Sequence, residues 1–548
     1  MRLYQSISVN GFQNIQVSTI RRLTLAILMW MAIHLLSGCA PPHVQQDNIE
    51  VKVTADSKTI AVVVPLGSTA GDALEAAGLE VGIQDRSEPA KYTVLSDGDE
   101  VRLIRVVEEF QIEEDVIPYE TQILRNESLP EGERRLIQPG ENGLLEITHL
   151  IVYEDGVEVS SYVSKTVVIK ESLPEVVMIG SQAPFAILPI WGKLAYISAG
   201  NAWVMEESTG NRRPVVTTGD LDGRIFELSP DGVWLLYTRT EPDEDLINSL
   251  WVARIDNDSG QTFPMEIENV IHFADWVPGS DNGVVFSTVE TNPNPPGWQA
   301  NNDLKFMNFS ENGWASSHRT ALDPSSGGIY GWWGMNFMWS PDGENLLYTR
   351  PDGVGLVDIE EEALNSVYDV VPLQTRSDWA WVPDVAWSPD GQYLYLVTHA
   401  PQEGLSSHEE SPLFDLAVIP LVSGAPTTLA EGVGMFAYPQ PSPLLETEIG
   451  EQYYKLAFLQ ALVPTQSRSS GYRLNVMDRD GSNRRAVFPP EGAQGLAPQR
   501  FAWSPVGEGE YIFTIGLIYQ GNLWLVNVEN GAAQQLTGDG LTTVLDWK

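Results

Sequence analysis

Four tryptophans supply the side chains best suited to binding chemistry in this sequence. Trp332 and Trp333 lie in GIYGWWGMNFMW, and Trp379 and Trp381 lie in SDWAWVPDVAW. Both segments precede a copy of a repeated phrase, so the four rings should lie near one face of the folded repeats. Indole faces gathered there can stack on sugar rings or hold the apolar anchors of a protein partner. Ordinary packing between neighbouring repeats is the alternative.

The only cysteine of the chain, Cys39, directly follows Leu36, Ser37 and Gly38. Residues 1–38 contain no Asp or Glu, and two arginines stand directly before the run LTLAILMWMAIHLLSG. A positive segment followed by an apolar segment of about 14 residues is typical of a signal peptide, because a membrane-spanning helix needs roughly 20 residues. The sequence therefore predicts that residues 1–38 are a signal peptide.

The stretch LSGC resembles the lipobox of bacterial lipoproteins. The resemblance implies that Cys39 is acylated and becomes the first residue of the mature chain, with residues 39–48 as a lipidated tether. A diacylglycerol group and an amide-linked acyl chain together supply more than the two membrane-binding signals that stable anchoring requires. We therefore expect an extracytoplasmic protein, anchored by lipid to the cell membrane at the cell surface or in the periplasm. A buried cysteine after a transmembrane anchor is the alternative.

Charge and missing motifs exclude several classes of function. The chain has 32 Lys and Arg against 74 Asp and Glu, a net charge of −42. Such a surface repels phosphate backbones, so we expect no nucleic-acid partner. The sequence has no G-x-S-x-G, H-E-x-x-H or Walker A motif, and we predict neither enzymatic activity nor a cofactor. A glycoside hydrolase or lyase, which needs only two carboxylates, is the weakest alternative.

The segment THAPQEGLSSHEESPLFD groups side chains of types that bind zinc. His399, His408, Glu409 and Glu410 all lie within it. Their spacing is irregular and matches no zinc motif. We therefore expect a solvated acidic loop with no metal.

Residues 49–106 show the pattern of a small β-grasp domain. The run IEVKVTADSKTIAVVVPLG alternates on both sides of a polar turn, TAGDALEAAGLEV has helical spacing, and DGDEVRLIRV predicts a returning strand. This order resembles the ubiquitin-like, DUF348-type domain that precedes G5 domains in bacterial wall-associated proteins.

Residues 107–180 contain IPYET, LPEGERRLIQPGENG and VVIKESLPEVVMIG, and they resemble the G5 domain over nearly their whole length. Five glycines fall where the turns of that family lie: Gly132, Gly140, Gly143, Gly156 and Gly180. No helical pattern is present, so we predict an extended all-strand domain. The resemblance implies binding of N-acetylglucosamine-containing polymers such as peptidoglycan. A rigid spacer with no ligand is the alternative.

One phrase recurs through the rest of the chain, as FELSPDGVWLLYTR, FMWSPDGENLLYTR, VAWSPDGQYLYLV and FAWSPVGEGEYIFTI. The shared prolines of six copies are separated by 48, 63, 48, 54 and 62 residues, which allows one four-stranded propeller blade of about 40 to 45 residues plus insertions in each interval. The units resemble TolB-like, or PD40-type and WD40-like, β-propeller repeats over residues 181–548.

The two ends of this region predict how the propeller closes. A further unit with Pro189 in the repeat position brings the number of units to seven. The chain ends LTTVLDWK, which matches the start of an eighth copy. We predict seven blades, with six or eight as the alternatives, and we expect the C-terminal strand to complete the first blade and cover its open edge.

Together these features predict a mainly β protein with a small β-grasp domain, an extended all-β G5 domain and a C-terminal β-propeller. We expect the G5 region to bind wall glycan and the propeller to bind a protein or glycan partner. A structural scaffold, in which the G5 region is only a spacer and the propeller docks one protein, is the main alternative.

Overall fold

The computed structural model describes residues 47–548, except 128, 182–184, 244, 258–259, 447–449 and 506–512. The described chain is almost entirely β-structure and contains a single α-helix, Ala70–Ala76, labelled α1. Its contacts divide it into two compact units. The first contains the described residues up to Tyr119 together with Glu141–Leu173, and the second contains Glu120–Gly140 and Pro174–Lys548.

The first unit begins with a four-stranded sheet and the helix α1. Its strands are β1 (Asn48–Ala55), β2 (Lys58–Pro65), β3 (Arg86–Glu88) and β4 (Glu100–Ile104), in the order β2-β1-β4-β3. The strand β1 runs antiparallel to β2 and parallel to β4. A capping box between Thr69 and Asp72 starts the helix, and Leu74 packs against Val51 and Val53 of the sheet. This arrangement is the β-grasp that the sequence predicts.

The G5 region forms six strands in two separate sheets. The strands are β5 (Val106–Ile117), β6 (Thr121–Asn126), β7 (Arg134–Gln138), β8 (Gly143–Glu154), β9 (Val157–Lys170) and β10 (Glu175–Gly180). The sheet β5-β8-β9 belongs to the first compact unit, and the sheet β6-β10-β7 belongs to the second. The division between the two compact units thus runs through the G5 region.

The sheet β6-β10-β7 is fixed to the propeller by an apolar core and by one ion pair. Its inner residues Leu124, Val176 and Met178, with Leu129 of the β6–β7 connection, pack with propeller residues that include Trp203, Leu523 and Leu525. The Glu127 carboxylate accepts hydrogen bonds from the Gly538 backbone at 2.9 Å and the Arg212 guanidinium at 3.3 Å. At Gly180 a Cβ atom would lie 2.0 Å from the Pro130 carbonyl oxygen, so only glycine permits this close approach.

The rest of the second unit forms a β-propeller. Its first strands are β11 (Pro189–Ser198), β12 (Asn201–Val216), β13 (Leu221–Leu228), β14 (Trp234–Thr240), β15 (Asn248–Arg254), β16 (Thr262–Glu268), β17 (Ala274–Trp276), β18 (Gly283–Phe286), β19 (Val289–Thr291), β20 (Trp298–Ala300), β21 (Leu304–Asn308) and β22 (Arg319–Leu322). The next are β23 (Asn336–Trp339), β24 (Leu346–Arg350), β25 (Gly353–Asp358), β26 (Ala363–Asp369), β27 (Val385–Trp387), β28 (Tyr393–Ala400), β29 (Leu413–Pro420) and β30 (Thr427–Ala430). The last are β31 (Gln440–Pro441), β32 (Leu445–Glu446), β33 (Gln452–Tyr453), β34 (Lys455–Ala461), β35 (Tyr472–Asp478), β36 (Arg485–Phe488), β37 (Ala502–Trp503), β38 (Thr514–Tyr519), β39 (Asn522–Asn527), β40 (Ala533–Gln535) and β41 (Thr542–Trp547).

These described strands form seven sheets of three or four strands, together with two small ribbons, β19-β20 and β32-β33. Six of the sheets have four antiparallel strands: β13-β14-β15-β16, β17-β18-β21-β22, β23-β24-β25-β26, β27-β28-β29-β30, β31-β34-β35-β36 and β37-β38-β39-β40. The first strands of neighbouring sheets contact one another, for example β13 with β17 and β27 with β31. Since the repeated phrase supplies these first strands, the repeat places one equivalent strand of each sheet around a common axis.

The Ser-Pro-Asp-Gly segment of each full repeat closes a tight turn between two strands. The Ser340 hydroxyl donates to the Asp342 carboxylate and accepts a hydrogen bond from the Asn345 backbone at 2.9 Å. Ser229 and Ser388 accept equivalent backbone bonds at 2.9 Å in their own turns. These local bonds explain why the phrase recurs at the first turn of three of the sheets.

The seventh sheet, β12-β11-β41, joins the two ends of the propeller. The strand β41 pairs antiparallel with β11 along the register Leu194 to Trp547 and Ile197 to Val544. The Trp547 ring is buried, and its indole N–H donates to the Trp191 carbonyl oxygen at 2.7 Å. The C-terminal strand therefore completes the first sheet, as the sequence predicts.

Candidate functional site

Three of the four predicted tryptophans lie in loops that lead into two neighbouring sheets. Trp332, Trp333 and Trp379 are half-buried. The Trp333 indole N–H donates to the Asp378 carbonyl oxygen at 3.1 Å, so the two loops meet. The Arg468 guanidinium lies over the Trp379 ring at 4.8 Å from its centroid. The structure thus brings these loops together, and part of each ring is already used within the protein.

Trp381 does not belong to a binding surface. Its side chain is 2% exposed, and its indole N–H donates to the Met435 carbonyl oxygen at 3.0 Å. The ring packs edge-on against Phe414 at 4.7 Å between centroids. The expectation that Trp381 offers a face for stacking is therefore wrong, because the core between two sheets satisfies both its apolar ring and its N–H group.

The histidines of the acidic loop bond to backbone oxygens. The two ring nitrogens of His399 lie 3.1 Å from the Val371 carbonyl oxygen and 2.7 Å from the Ser411 carbonyl oxygen. His408 Nε2 lies 2.8 Å from the His399 carbonyl oxygen, and Glu410 pairs with an arginine of a neighbouring loop. In the part of the chain that the structure describes, no group of three or more His, Cys, Asp or Glu could hold a metal ion.

The predicted lipidation site lies outside the described residues. Leu36, Ser37, Gly38 and Cys39 all precede residue 47, where the description begins. Within the described chain no helix has both the length and the apolar character needed to cross a membrane.

The sheet β5-β8-β9 presents an exposed row of apolar side chains that the sequence analysis did not single out. Phe110 lies directly opposite Leu150, which lies directly opposite Tyr162 on the third strand. Phe110 and Tyr162 are 62% and 54% exposed, whereas Leu150 between them is buried. Cross-strand partners share one face of a sheet, and Ile112 extends the same face because it lies two residues from Phe110.

This apolar row has the width and surroundings of a small binding platform. Strand spacing of about 4.8 Å places the outer two rings roughly 10 Å apart. Glu108 and Glu114 lie on the same strand and the same face as Phe110, two and four residues away from it. The row therefore combines exposed aromatic faces with carboxylates that accept hydrogen bonds. This combination suits a ring-shaped ligand that has polar groups at its edge and one apolar face.

A second group of side chains lines the axis of the propeller. Glu227 and Asp275 stand three residues before the repeat proline, and Asp546 holds the equivalent position in the closing strand. Lys548 Nζ lies 3.6 Å from the Glu227 carboxylate and 3.7 Å from that of Asp546, and it donates to the Leu228 carbonyl oxygen at 2.9 Å. Two carboxylates thus lie within 4 Å of one ammonium group, and the charge of Asp275 in the next sheet also acts on it.

Burial and neighbouring charges shift the pKa values of these axial groups. Burial, reinforced by the negative charge of Asp546, raises the pKa of Glu227 to about 8. Burial likewise raises the pKa of Asp275. It also raises the pKa of Asp384, which directly precedes β27, to about 7. Burial alone would lower the pKa of Lys548, but the nearby carboxylates outweigh it and raise that pKa.

We expect the protein to be more stable at pH 5.5 than at pH 8.5. The folded state favours the protonated forms of Glu227 and Asp384, so their contribution is fully present below the ordinary values of 4.5 and 3.8 and is lost as pH rises through about 7 to 8. The Glu227 side chain is 37% exposed, which limits the effect to on the order of 1 kcal/mol per group. Thermal unfolding across this range measures it.

The matched variants E227Q and E311Q distinguish the contribution of the axial carboxyl group to the pH dependence of stability from the effect of removing any negative charge. Glu311 is an exposed carboxylate of the same unit. E227Q should flatten the decline of the unfolding midpoint above pH 6, whereas E311Q should leave it unchanged. Equal slopes for the wild type and E227Q would contradict this assignment of the axial carboxyl group.

Comparison with known proteins identifies one domain of the chain. The family model for the G5 domain matches residues 108–182. Resuscitation-promoting factor RpfB of Mycolicibacterium smegmatis is 25% identical over 181 residues, which are 32% of this chain and 49% of that protein. The chain therefore spans about half the length of this curated relative. The G5 match indicates an extracellular or wall-associated protein.

Solved structures resemble the two main parts of the chain. HP0197-G5 is 22% identical, with a TM-score of 0.13, and the match covers 14% of this chain and 99% of that one. A prolyl endopeptidase is 14% identical, with a TM-score of 0.40, and the match covers 66% of this chain and 50% of that one. At these values the likenesses transfer no activity to this chain. The protein combines a G5 domain with a β-propeller.

Proposed function

We propose that this protein is an extracytoplasmic lipoprotein that binds cell-wall glycan through its G5 region. The observation that carries the proposal is the G5 match over residues 108–182, in which the exposed Phe110 and Tyr162 share one face of a sheet. The ligand would be a polymer that contains N-acetylglucosamine, such as peptidoglycan. Acylation at Cys39 would hold the protein at the membrane.

The exposed row supports a glycan ligand on physical grounds. Soluble proteins seldom leave grouped large apolar side chains in water without a binding role. Both faces of β5 are largely exposed, so packing does not explain why Phe110 and Ile112 are retained there. An aromatic ring can lie against the apolar face of a sugar, while nearby carboxylates accept hydrogen bonds from its hydroxyl and amide groups.

Tethering would strengthen such binding. A lipid at Cys39 and a glycan site on the same chain act as two linked attachments, so the second attachment occurs at a raised effective concentration. A weak sugar site of millimolar affinity would then be sufficient. The propeller would present a separate surface to a protein or glycan partner, with Trp332, Trp333 and Trp379 as candidate contacts.

Co-sedimentation with purified peptidoglycan sacculi tests the glycan site. A soluble form that comprises residues 40–548 should pellet with sacculi at both low and moderate salt. The double variant F110A/Y162A should raise the apparent Kd at least tenfold, because both stacking faces are lost. Two salt concentrations are needed because bound cations alone can carry down an acidic protein at low salt.

Two control variants test whether the loss of binding is specific to Phe110 and Tyr162. Tyr92 is 84% exposed in the β-grasp domain, so Y92A removes an aromatic ring from elsewhere in the same unit. Val163 is exposed on the opposite face of the sheet, next to His149. Both Y92A and V163A should pellet like the wild type. Failure of the wild-type protein to pellet would instead favour the scaffold alternative, in which the G5 region only sets a distance.

A further inference from the structure

The second compact unit contains a groove that the glycan proposal does not use. It lies between the sheet β6-β10-β7 and the outer strands of the first propeller sheets, and its volume is about 680 Å³. This volume falls within the range of about 300–1,000 Å³ that is usual for ligand sites. The strand β7 and the distal part of β12 supply most of its walls.

Long runs from two edge strands form most of the walls of this groove, and Met178 of β10 and Asn126 of β6 complete them. Five consecutive residues, 135–139, line one side, and nine consecutive residues, 210–218, line the other. Because successive side chains of a strand point to opposite faces, an unbroken run of lining residues means that the groove follows the backbone. Both β7 and β12 stand at the end of their sheets in the described strand order.

The edge of β7 is open to pairing. Its backbone pairs with β10 on one side, and no described strand lies on the other. Leu136 and Ile137 are exposed on this strand. Proteins commonly protect such edges with charges, bulges or a covering loop, because an exposed apolar edge is a template for an added strand.

The lining of the groove is richer in arginine than the chain as a whole. Its 20 lining residues include four arginines, Arg135, Arg212, Arg213 and Arg254, and no Asp or Glu, although the chain has more than twice as many acidic as basic residues. Arg135 pairs with Glu133 at 2.7 Å in an exposed setting. Such surface pairs contribute little, so Arg135 can exchange this partner for another carboxylate.

Two other arginines of the groove are already held by contacts within the protein. Arg212 is buried, pairs with Glu127 and donates to the Leu536 carbonyl oxygen at 2.8 Å. Arg254 donates to Asp256 at 2.8 Å. These contacts fix the walls and leave Arg135 as the most accessible cation for a ligand.

We propose that this groove binds an extended acidic peptide segment of a partner protein, as a strand added to the open edge of β7. Backbone hydrogen bonds along β7 would hold the segment, and its carboxylates would face Arg135. This partner site is independent of the glycan face. Loss of glycan binding in F110A/Y162A would therefore leave it intact.

A labelled peptide with alternating valine and glutamate tests the proposal by fluorescence anisotropy against residues 40–548. We expect saturable binding at low salt that weakens at least tenfold in R135E. R484E is the matched control, since Arg484 is an exposed arginine of the same unit that does not line the groove, and it should change the Kd less than twofold. The lysine version of the peptide should not bind.

Backbone pairing is tested with a peptide that is N-methylated at alternate residues. It keeps the carboxylates but cannot donate the ladder hydrogen bonds, so it should bind at least tenfold more weakly. Equal binding of the two peptides, equal losses in R135E and R484E, or no binding at all would overturn the proposal. Displacement of the peptide by a soluble uronic-acid polysaccharide at similar affinity would assign the groove to acidic glycans and also overturn it.

Discussion

Removal of residues 539–548 should open the propeller and produce the largest loss of stability of any short truncation. The deletion removes β41, whose five ladder pairs with β11 join the last and first parts of the ring. It also removes the buried Trp547, and loss of a buried tryptophan side chain alone costs about 3–5 kcal/mol. We expect the cooperative thermal transition of the propeller to shift down by many degrees or to disappear, as followed by near-ultraviolet circular dichroism.

Single substitutions show whether the truncated protein loses stability because the ring is no longer closed or because the chain is shorter. W547A should lower the unfolding midpoint strongly. W314A is the matched control, because Trp314 is 71% exposed in the same unit. An unchanged midpoint in the truncated protein, or equal effects of W547A and W314A, would mean that β41 does not close the ring.

Division of the chain at residue 180 should yield an unstable propeller fragment. A fragment of residues 181–548 lacks β6, β7 and β10, and it therefore exposes the faces of Trp203, Leu523 and Leu525 that pack against them. It also removes Glu127, the ion-pair partner of Arg212. Residues 120–548 retain these contacts and should unfold at a clearly higher temperature.

A point variant tests the same interface without truncation. Met178 is buried in this core, so M178A should cost about 2–5 kcal/mol in the free energy of unfolding. I123A removes an exposed side chain from the same sheet and should cost little. Equal stability of the fragments 181–548 and 120–548 would contradict the assignment of β6, β7 and β10 to the propeller unit.

Short sequence patterns predicted the turns and strands whose conformation depends on residues close to them in the sequence. The hairpin of β1 and β2 turns at Asp56 and Ser57, both with positive φ, as the polar pair indicates. The Ser-Pro-Asp-Gly phrase marks the first turn of three propeller sheets because its side chains bond to their own turn. The LDW segment at the end of the chain identified the closing strand, since it repeats the first strand of the other copies.

Features that depend on distant packing could not be read from the sequence. Met178 and Phe110 both lie in alternating strand patterns of the G5 region, yet one is buried against the propeller and the other is exposed. The row from Phe110 to Tyr162 depends on a register that shifts at bulges between β8 and β9. Trp381 and Trp379 differ by two residues, and only the fold shows that Trp381 lies in the core.

Hydrogen exchange of the backbone amides, measured with and without a soluble N-acetylglucosamine oligomer, tests the central claim most directly. The account predicts that the oligomer slows exchange within Val106–Ile117 and Val157–Lys170, the two outer strands of the exposed sheet. F110A/Y162A should abolish this protection. Protection confined to the propeller, or no protection at saturating oligomer, would contradict glycan binding by the G5 sheet.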